Sequence, residues 1–284
     1  MSVSPFNFRL KKPFVKQKLV KQVNPNLALH SLLVRSGRLK RKVKVDVYLP
    51  FPFRPYSRNY QCILLNDGQD AEQLKLVDTL TDFYQKGEKF VVVAVHAGDR
   101  INEYGTSGQP DYKNRGWKAK SYSDFVIHKL LPYLRMHYGL FMESDTSYVA
   151  GFSLGGLSAM DMLWKNPDVF SKVGVFSGSF WWRMKGLEQG YHDSDRIMHQ
   201  IIDKGKYKEG LKFWFEAGTK DEEMDRNNNG IIDAIDDTLD LIKSLVNKGY
   251  TNEDITYLEI EGGEHNFNTW SQAFPKFLNW ALVD

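Results

Sequence analysis

The chain has 284 residues, 42% hydrophobic and 14% aromatic, enough apolar material for one large α/β core. Its single cysteine, Cys62, excludes an intrachain disulfide and a thiolate metal cluster, and no segment approaches the ~18 apolar residues of a membrane span. The net charge of +3 is uneven: residues 1–45 hold twelve Lys or Arg and no acid, so the remainder keeps 26 of the 38 basic residues against all 35 acidic ones.

Residues 1–26 read as a basic arm, and residues 27–284 as one catalytic domain. No nucleic-acid partner is expected, because no clustered stacking aromatics accompany the arm's charge; its Lys and Arg instead discourage edge-to-edge strand pairing. The arm also lacks the apolar run of a signal peptide. With one cysteine and no membrane segment, a cytoplasmic location is expected.

Residues 28–35 are apolar enough for a strand, and Ser36-Gly37 supplies a turn into 41–49. There Val43, Val45, Val47 and Leu49 alternate with Lys42, Lys44, Asp46 and Tyr48, the period-two pattern of a half-buried strand. An N-terminal antiparallel hairpin follows. After Pro50, short apolar runs at 62–65, 90–95, 147–150, 173–176, 211–215 and 255–260 alternate with helical stretches at 71–86, 121–138, 155–165 and 238–248. Repeated strand and helix predict a central, mostly parallel sheet with helices on both faces. A last helix is predicted over 269–283, kinked or starting late because of Pro275. In such sheets functional residues gather at the carboxyl ends of strands.

The stretch Gly151-Phe-Ser153-Leu-Gly155 is a G-x-S-x-G at a strand-to-helix junction, the context in which that motif presents a nucleophilic serine. Ser153 Oγ would project at a helix N-terminus, where free amides favour a developing oxyanion. The backbone N–H of Leu154, and that of Gln69 in Asn66-Asp-Gly-Gln69, are the expected oxyanion donors. Serine needs a base, and the base an orienting carboxylate. Of the seven histidines, His265 lies in a Gly-rich loop after the last strand. His30 and His192 sit away from strand ends, and His128, His137 and His199 fall in or near helices. His96 ends a strand but precedes the serine, so it ranks second. The acid is expected after the next-to-last strand, at Asp221, with Glu222 the alternative. Ser153, Asp221 and His265 then run in the chain order of α/β-hydrolases.

At these residues the sequence resembles the putative-esterase family of α/β-hydrolases, which includes enterochelin esterases, feruloyl esterases, S-formylglutathione hydrolases and mycolyl transferases. The resemblance runs from about residue 43 to 280. It rests on Asn66-Asp-Gly-Gln69, Gly151-Phe-Ser-Leu-Gly-Gly156, Phe176-Ser-Gly-Ser-Phe-Trp-Trp182, Gly218-Thr-Lys-Asp221 and Gly262-Gly-Glu-His265. It implies the α/β-hydrolase fold and serine esterase chemistry on a small-molecule ester, with no cofactor required for the chemistry. It leaves open an acyltransferase using the same acyl-serine, a non-catalytic binding protein on this fold, and the oligomeric state. Two departures stand out: the first motif lacks a His-Gly-Gly run, and residues 225–236 are an insertion.

The 98–118 loop is expected to overhang the cleft. Arg100, Tyr104 and Arg115, with Trp181, are the candidate substrate-binding residues, suited to a small polar or aromatic ester. The insertion Asp225-Arg-Asn227-Asn-Asn229-Gly230-Ile231-Ile-Asp233-Ala-Ile-Asp236 matches an EF-hand calcium loop at positions 1, 3, 5, 6, 9 and 12. Asp225, Asn227, Asn229, the Ile231 carbonyl, Asp233 and Asp236 are the candidate ligands of a structural Ca2+.

Overall fold

The computed structural model describes residues 21–58 and 60–282. Among the described residues, nine strands form one sheet in the order β1-β2-β3-β5-β4-β6-β7-β8-β9. They are β1 (Lys21–Asn24), β2 (Leu27–Ser36), β3 (Arg41–Pro50), β4 (Gln61–Asn66), β5 (Phe90–Val95), β6 (Ser147–Phe152), β7 (Lys172–Phe176), β8 (Lys212–Lys220) and β9 (Ile255–Glu264). β1, β2, β3 and β5 pair antiparallel, and every pairing from β5 through β4 to β9 is parallel. This is the mostly parallel sheet that the alternation predicts, in the α/β-hydrolase fold that the resemblance implies. The expected hairpin is β2–β3, with Leu32 opposite Val45 and Val34 opposite Val43. The basic arm is shorter than expected at its end, because Lys21–Asn24 pairs with β2; residues 1–20 lie outside the described residues.

Among the described residues, eight α-helices cover the sheet: α1 (Leu76–Gln85), α2 (Arg100–Glu103), α3 (Ala119–Phe125), α4 (Leu131–Tyr138), α5 (Leu154–Lys165), α6 (Ile197–Lys204), α7 (Asp233–Lys248) and α8 (Phe267–Leu282), with a π-helical turn joining α3 to α4. One core lies under α3 to α7, where Tyr122, Leu134, Leu157, Met198 and Leu241 meet inward residues such as Val43, Val93 and Phe213. The other lies under α1 and α8, where Leu80, Trp270, Phe274 and Phe277 meet Ile63, Tyr148 and Phe176. Because helices bury both faces, β4, β5 and β6 are buried at nearly every position and read as continuous apolar runs.

Several boundaries differ from the sequence reading. α8 begins at Phe267, earlier than expected, and continues through Pro275. Asn266 sets that start: its side-chain oxygen accepts the N–H groups of Asn268 (3.0 Å) and Thr269 (3.2 Å), the work of an N-cap. Buried Phe274 and Phe277 flank Pro275 and hold the helix against the sheet despite the lost N–H donor. α7 begins at Asp233, five residues ahead of expectation, and α1 is preceded by turns from Ala71. Among the described residues, no helix is long and apolar enough to cross a membrane.

Candidate active site

Ser153 stands alone between β6 and α5 with φ 52° and ψ −121°, a conformation a side-chain-bearing residue holds only when its surroundings enforce it. The turn is tight enough that a Cβ on Gly151 would lie 2.3 Å from the Gly155 carbonyl oxygen. The neighbouring strand fastens it: Ser153 N–H donates to the Phe176 carbonyl (2.8 Å), and its own carbonyl accepts from Ser179 N–H (3.2 Å). The two hydroxyls, Ser153 Oγ and Ser179 Oγ, lie 3.2 Å apart.

Leu154 opens α5, so its N–H belongs to the first turn, where no intrahelical acceptor exists. Gln69 lies in a short 3-10 turn, Gly68–Asp70, at the carboxyl end of the adjoining β4. Its side chain is taken up structurally, donating to Asp67 (2.7 Å) and Asp70 (3.0 Å) and accepting from Ala97 N–H (3.1 Å), which leaves the backbone N–H as the group of interest. Asn66 ties this turn to the nucleophile helix: its Nδ2 donates to the Gly155 carbonyl at 2.8 Å.

Asp221 and His265 are brought together by strands that run farther than their apolar runs suggest. β8 continues to Lys220 and β9 to Glu264, these two residues pair after a bulge beyond Gly218, and the next residue on each strand is Asp221 or His265. The close approach requires glycine, because a Cβ on Gly218 would lie 2.3 Å from the Gly263 carbonyl oxygen. His265 Nδ1 is 3.8 Å from Asp221 Oδ1, ion-pair range and beyond a hydrogen bond. The Asp221 side chain is fully buried, while that of His265 is 40% exposed. Burial, and then the charges of Asp233, Asp237 and Asp221, push up the carboxyl of Glu222, the alternative acid. Burial pushes the Asp221 carboxyl up, opposed by the Ser177 hydroxyl and His265. Burial also pushes the His265 imidazole down, Asp221 opposing and the Arg100 charge reinforcing. His96, the second-ranked base, pairs with Asp46 on β3 at 2.6 Å.

The substrate residues fare unequally. Tyr104 is wholly buried, its hydroxyl accepting the Asp67 N–H at 2.8 Å, so its expected place in a binding surface is corrected to one in the core. Arg100 makes a two-pronged pair with buried Asp67 (2.8 and 2.9 Å) and a third bond to the Phe152 carbonyl (3.2 Å), yet its side chain stays 37% exposed. Arg115 pairs with buried Asp111 and stacks on half-buried Trp181 at 5.1 Å. Phe180 and Trp182 are core residues. The 98–118 loop is pinned at Glu103 by Arg41 and at Asp99 by Lys118. A shallow cavity of about 560 Å³ adjoins His265 and is lined by Lys220, Glu222, Glu223, Glu264 and Asn266.

Three neighbours of the site escaped the sequence reading: Ser177, Ser179 and Glu216. The first two lie in the quoted stretch Phe176–Trp182, whose Ser-Gly-Ser was the available signal; Glu216, inside an apolar strand run, gave none.

In the 225–236 insertion, the Asp225 carboxylate accepts the N–H groups of Asn229 (3.1 Å) and Gly230 (2.8 Å). Both Asn227 and Asn229 direct their amide nitrogens to Asp236 Oδ2 at 2.8 Å. Asp233, expected to contact the ion, turns to Arg226 instead, accepting its backbone N–H at 2.9 Å beside its guanidinium at 3.2 Å. Among the described residues, no group of three or more His, Cys, Asp or Glu is arranged to hold a metal ion.

Residues 36–281 match the sequence profile of the family described as "Putative esterase". The uncharacterized protein YbbA of Bacillus subtilis (strain 168) is 21% identical over 244 residues, covering 84% of this chain and 91% of YbbA. The iron(III) enterobactin esterase of Escherichia coli (strain K12) is 30% identical over 212 residues, covering 73% of this chain and 49% of that enzyme. A solved ferulic acid esterase structure superposes with a TM-score of 0.68 at 18% identity, over 91% of this chain and 99% of the other.

Proposed function

Because the chain belongs to the putative-esterase family and is an ester-hydrolysing enzyme, we propose that it works through an acyl-enzyme on Ser153, with the residues from Lys21 onward as one catalytic domain. The carrying observation is the strained Ser153 at the β6–α5 junction of a fold whose last two parallel strands end on a paired Asp221 and His265. In this reading Ser153 Oγ bonds to the ester carbonyl carbon while His265 takes its proton, and Asp221 orients and stabilises the imidazolium. The oxyanion is received by the N–H groups of Leu154 and Gln69. Collapse breaks the carbon–oxygen bond to the leaving alcohol, which His265 protonates; water then repeats the sequence on the acyl-serine. The 3.8 Å separation tightens to a hydrogen bond when charge develops on the ring.

The half-exposed Arg100 and the Arg115–Trp181 stack support a small polar or aromatic ester as substrate. The similar proteins named iron(III) enterobactin esterase and ferulic acid esterase are in keeping with a small-molecule ester. The single cysteine supports action in the cytoplasm. The 225–236 loop is proposed to take Ca2+ weakly, because Asn227 and Asn229 must turn their amides before their oxygens can face an ion.

Labelling with a fluorophosphonate probe tests for an activated serine without assuming a substrate. Wild-type protein is expected to be labelled at Ser153 and to hydrolyse short p-nitrophenyl esters. Unlabelled native protein, or labelling that survives in Ser153→Ala, would overturn the reading. Product analysis with added acceptor alcohols separates hydrolysis from acyl transfer.

A further inference from the structure

Glu216 is an acid in the interior of β8, fully buried, with Oε1 lacking a hydrogen-bond partner among the described residues. It faces the same pocket as three groups behind the active site. Ser177 Oγ lies 3.5 Å from Glu216 Oε2 and accepts the indole N–H of Trp270 at 2.9 Å. Trp270 in turn packs edge-on against the His265 ring, centroids 5.1 Å apart. Asp221, five residues along the chain from Glu216, also has a fully buried side chain; among the described residues neither of its oxygens has a partner in full hydrogen-bond geometry, though the Ser177 hydroxyl is near enough to lower its carboxyl. Ser177 carries φ 45°, so its hydroxyl is presented here by an enforced backbone turn.

Two carboxylates in one dry pocket cannot both hold a charge cheaply. Asp221 is eased toward its charged form by the Ser177 hydroxyl and by the His265 ring whenever that ring takes a proton; Glu216 is paired with no basic side chain among the described residues. The proton therefore belongs on Glu216. Ser177 then has a complete use: a hydroxyl accepts two bonds and donates one. With the proton on Glu216, the 3.5 Å contact is reversed so that Ser177 Oγ accepts from the Glu216 O–H as well as from Trp270, and its single proton is left to face Asp221.

We propose that Glu216 is a positioning residue, a carboxylic acid kept neutral behind the active site that commits the Ser177 hydroxyl to Asp221 and so fixes the carboxylate that orients His265. The inference rests on the Ser153–Asp221–His265 reading and adds to it a relay from Glu216 through Ser177. The groups acting on Glu216 are Asp221 just past the end of its own strand, Ser177 just past β7, to which Trp270 of α8 also bonds, and Tyr257 from β9, whose hydroxyl donates to Glu259 at 2.9 Å. None supplies a positive charge, and His265 reaches it only through Asp221. Burial, then the Asp221 charge, raises the Glu216 carboxyl to about 8, in keeping with that arrangement.

A group whose acid form is favoured by folding loses stability as pH rises from its unfolded value, near 4.5, through its folded one, about 8. The test compares wild type with Glu216→Gln, which carries a neutral side chain at every pH, and Glu216→Leu, which carries no donor. The melting temperature of Glu216→Gln relative to wild type is expected to rise steadily between pH 5 and 8 and then level off. In p-nitrophenyl ester hydrolysis, corrected for the uncatalysed rate, wild-type kcat/KM should bend downward near pH 8 as Glu216 ionises and repels Asp221, and the Gln variant should lack that bend. Glu216→Leu should lower kcat about tenfold with little change in KM, the loss of one hydrogen bond to a charged group. A melting-temperature difference that does not vary with pH, or pH profiles of the wild type and Gln variant that superimpose, would overturn the proposal. Absence of Ser153 labelling would instead sink the underlying mechanism, while the melting comparison would still decide whether Glu216 is held neutral.

Discussion

At the scale of single residues, the site depends on a few side chains whose surroundings alter their chemistry. If Ser153 and His265 act as one unit, Ser153→Ala and His265→Ala should each lower kcat by about 10⁴ to 10⁶, and the double variant should be hardly worse than either alone; steady-state kinetics on a p-nitrophenyl ester measures this. His265 serves as base only when neutral, so the rate should rise with pH through a midpoint set by its imidazole. Burial and the Arg100 charge push that midpoint below the ordinary value of about 6.5. A midpoint at or above 6.5 would contradict this electrostatic account. Arg100→Gln removes one of the two lowering influences and should move the midpoint upward.

At the scale of elements, the joint extension of β8 and β9 brings residues 221 and 265 together. Gly218→Ala would place a methyl against the Gly263 carbonyl and should cost about 1–3 kcal/mol of stability, as overpacking does, while displacing Asp221. Activity should therefore fall at temperatures where circular dichroism shows the variant still folded. The 225–236 loop is the other element with a testable role. It closes on itself through Asp225 and Asp236 and joins α7, whose first turn contains Asp233 and Asp236. Calorimetry on chelator-stripped protein should register weak Ca2+ binding that disappears in Asp225→Ala. No heat and no change in melting temperature on adding the ion would leave the loop a metal-free turn stitched by its own asparagines.

At the scale of the whole molecule, the sheet explains which segments can be lost and which cannot. Deleting residues 1–20 removes nothing from the nine strands and should leave ester hydrolysis intact; a folded, inactive truncation would show that the arm acts on the site. Acid stability is set elsewhere. His199 is buried on α6, Nε2 lies 2.9 Å from the Asp237 carbonyl, and burial together with the Arg196 charge lowers its imidazole to about 3. Its contribution to stability is present above its unfolded value near 6.5 and is lost as pH falls from there toward 3. His199→Gln should therefore show a shallower decline in melting temperature between pH 7 and 4 than wild type, and parallel declines would remove His199 from the account.

The sequence by itself determined the alternation of strand and helix, the antiparallel β2–β3 hairpin and the candidate nucleophile. Each is local: period two in 41–49 reflects a strand with one face dry, and Gly151 and Gly155 around Ser153 answer to a backbone turn of five residues. Ranking His265 first and Asp221 ahead of Glu222 rests on chain order and on position after a strand, and remains a proposal that the kinetics above test. The pairing of these two residues was decided only by tertiary structure, since it depends on the Lys220–Glu264 register between strands separated by a helix. The same holds for Tyr104, which composition offers as a binding residue and packing turns into a buried acceptor for the Asp67 N–H. Glu216 is the clearest case. Its neighbours in sequence, Trp214, Phe215 and Ala217, mark only a buried strand; its meaning comes from Ser177, Asp221 and Trp270, because the desolvation and like charge acting on a carboxyl are properties of the space around it and have no period along the chain.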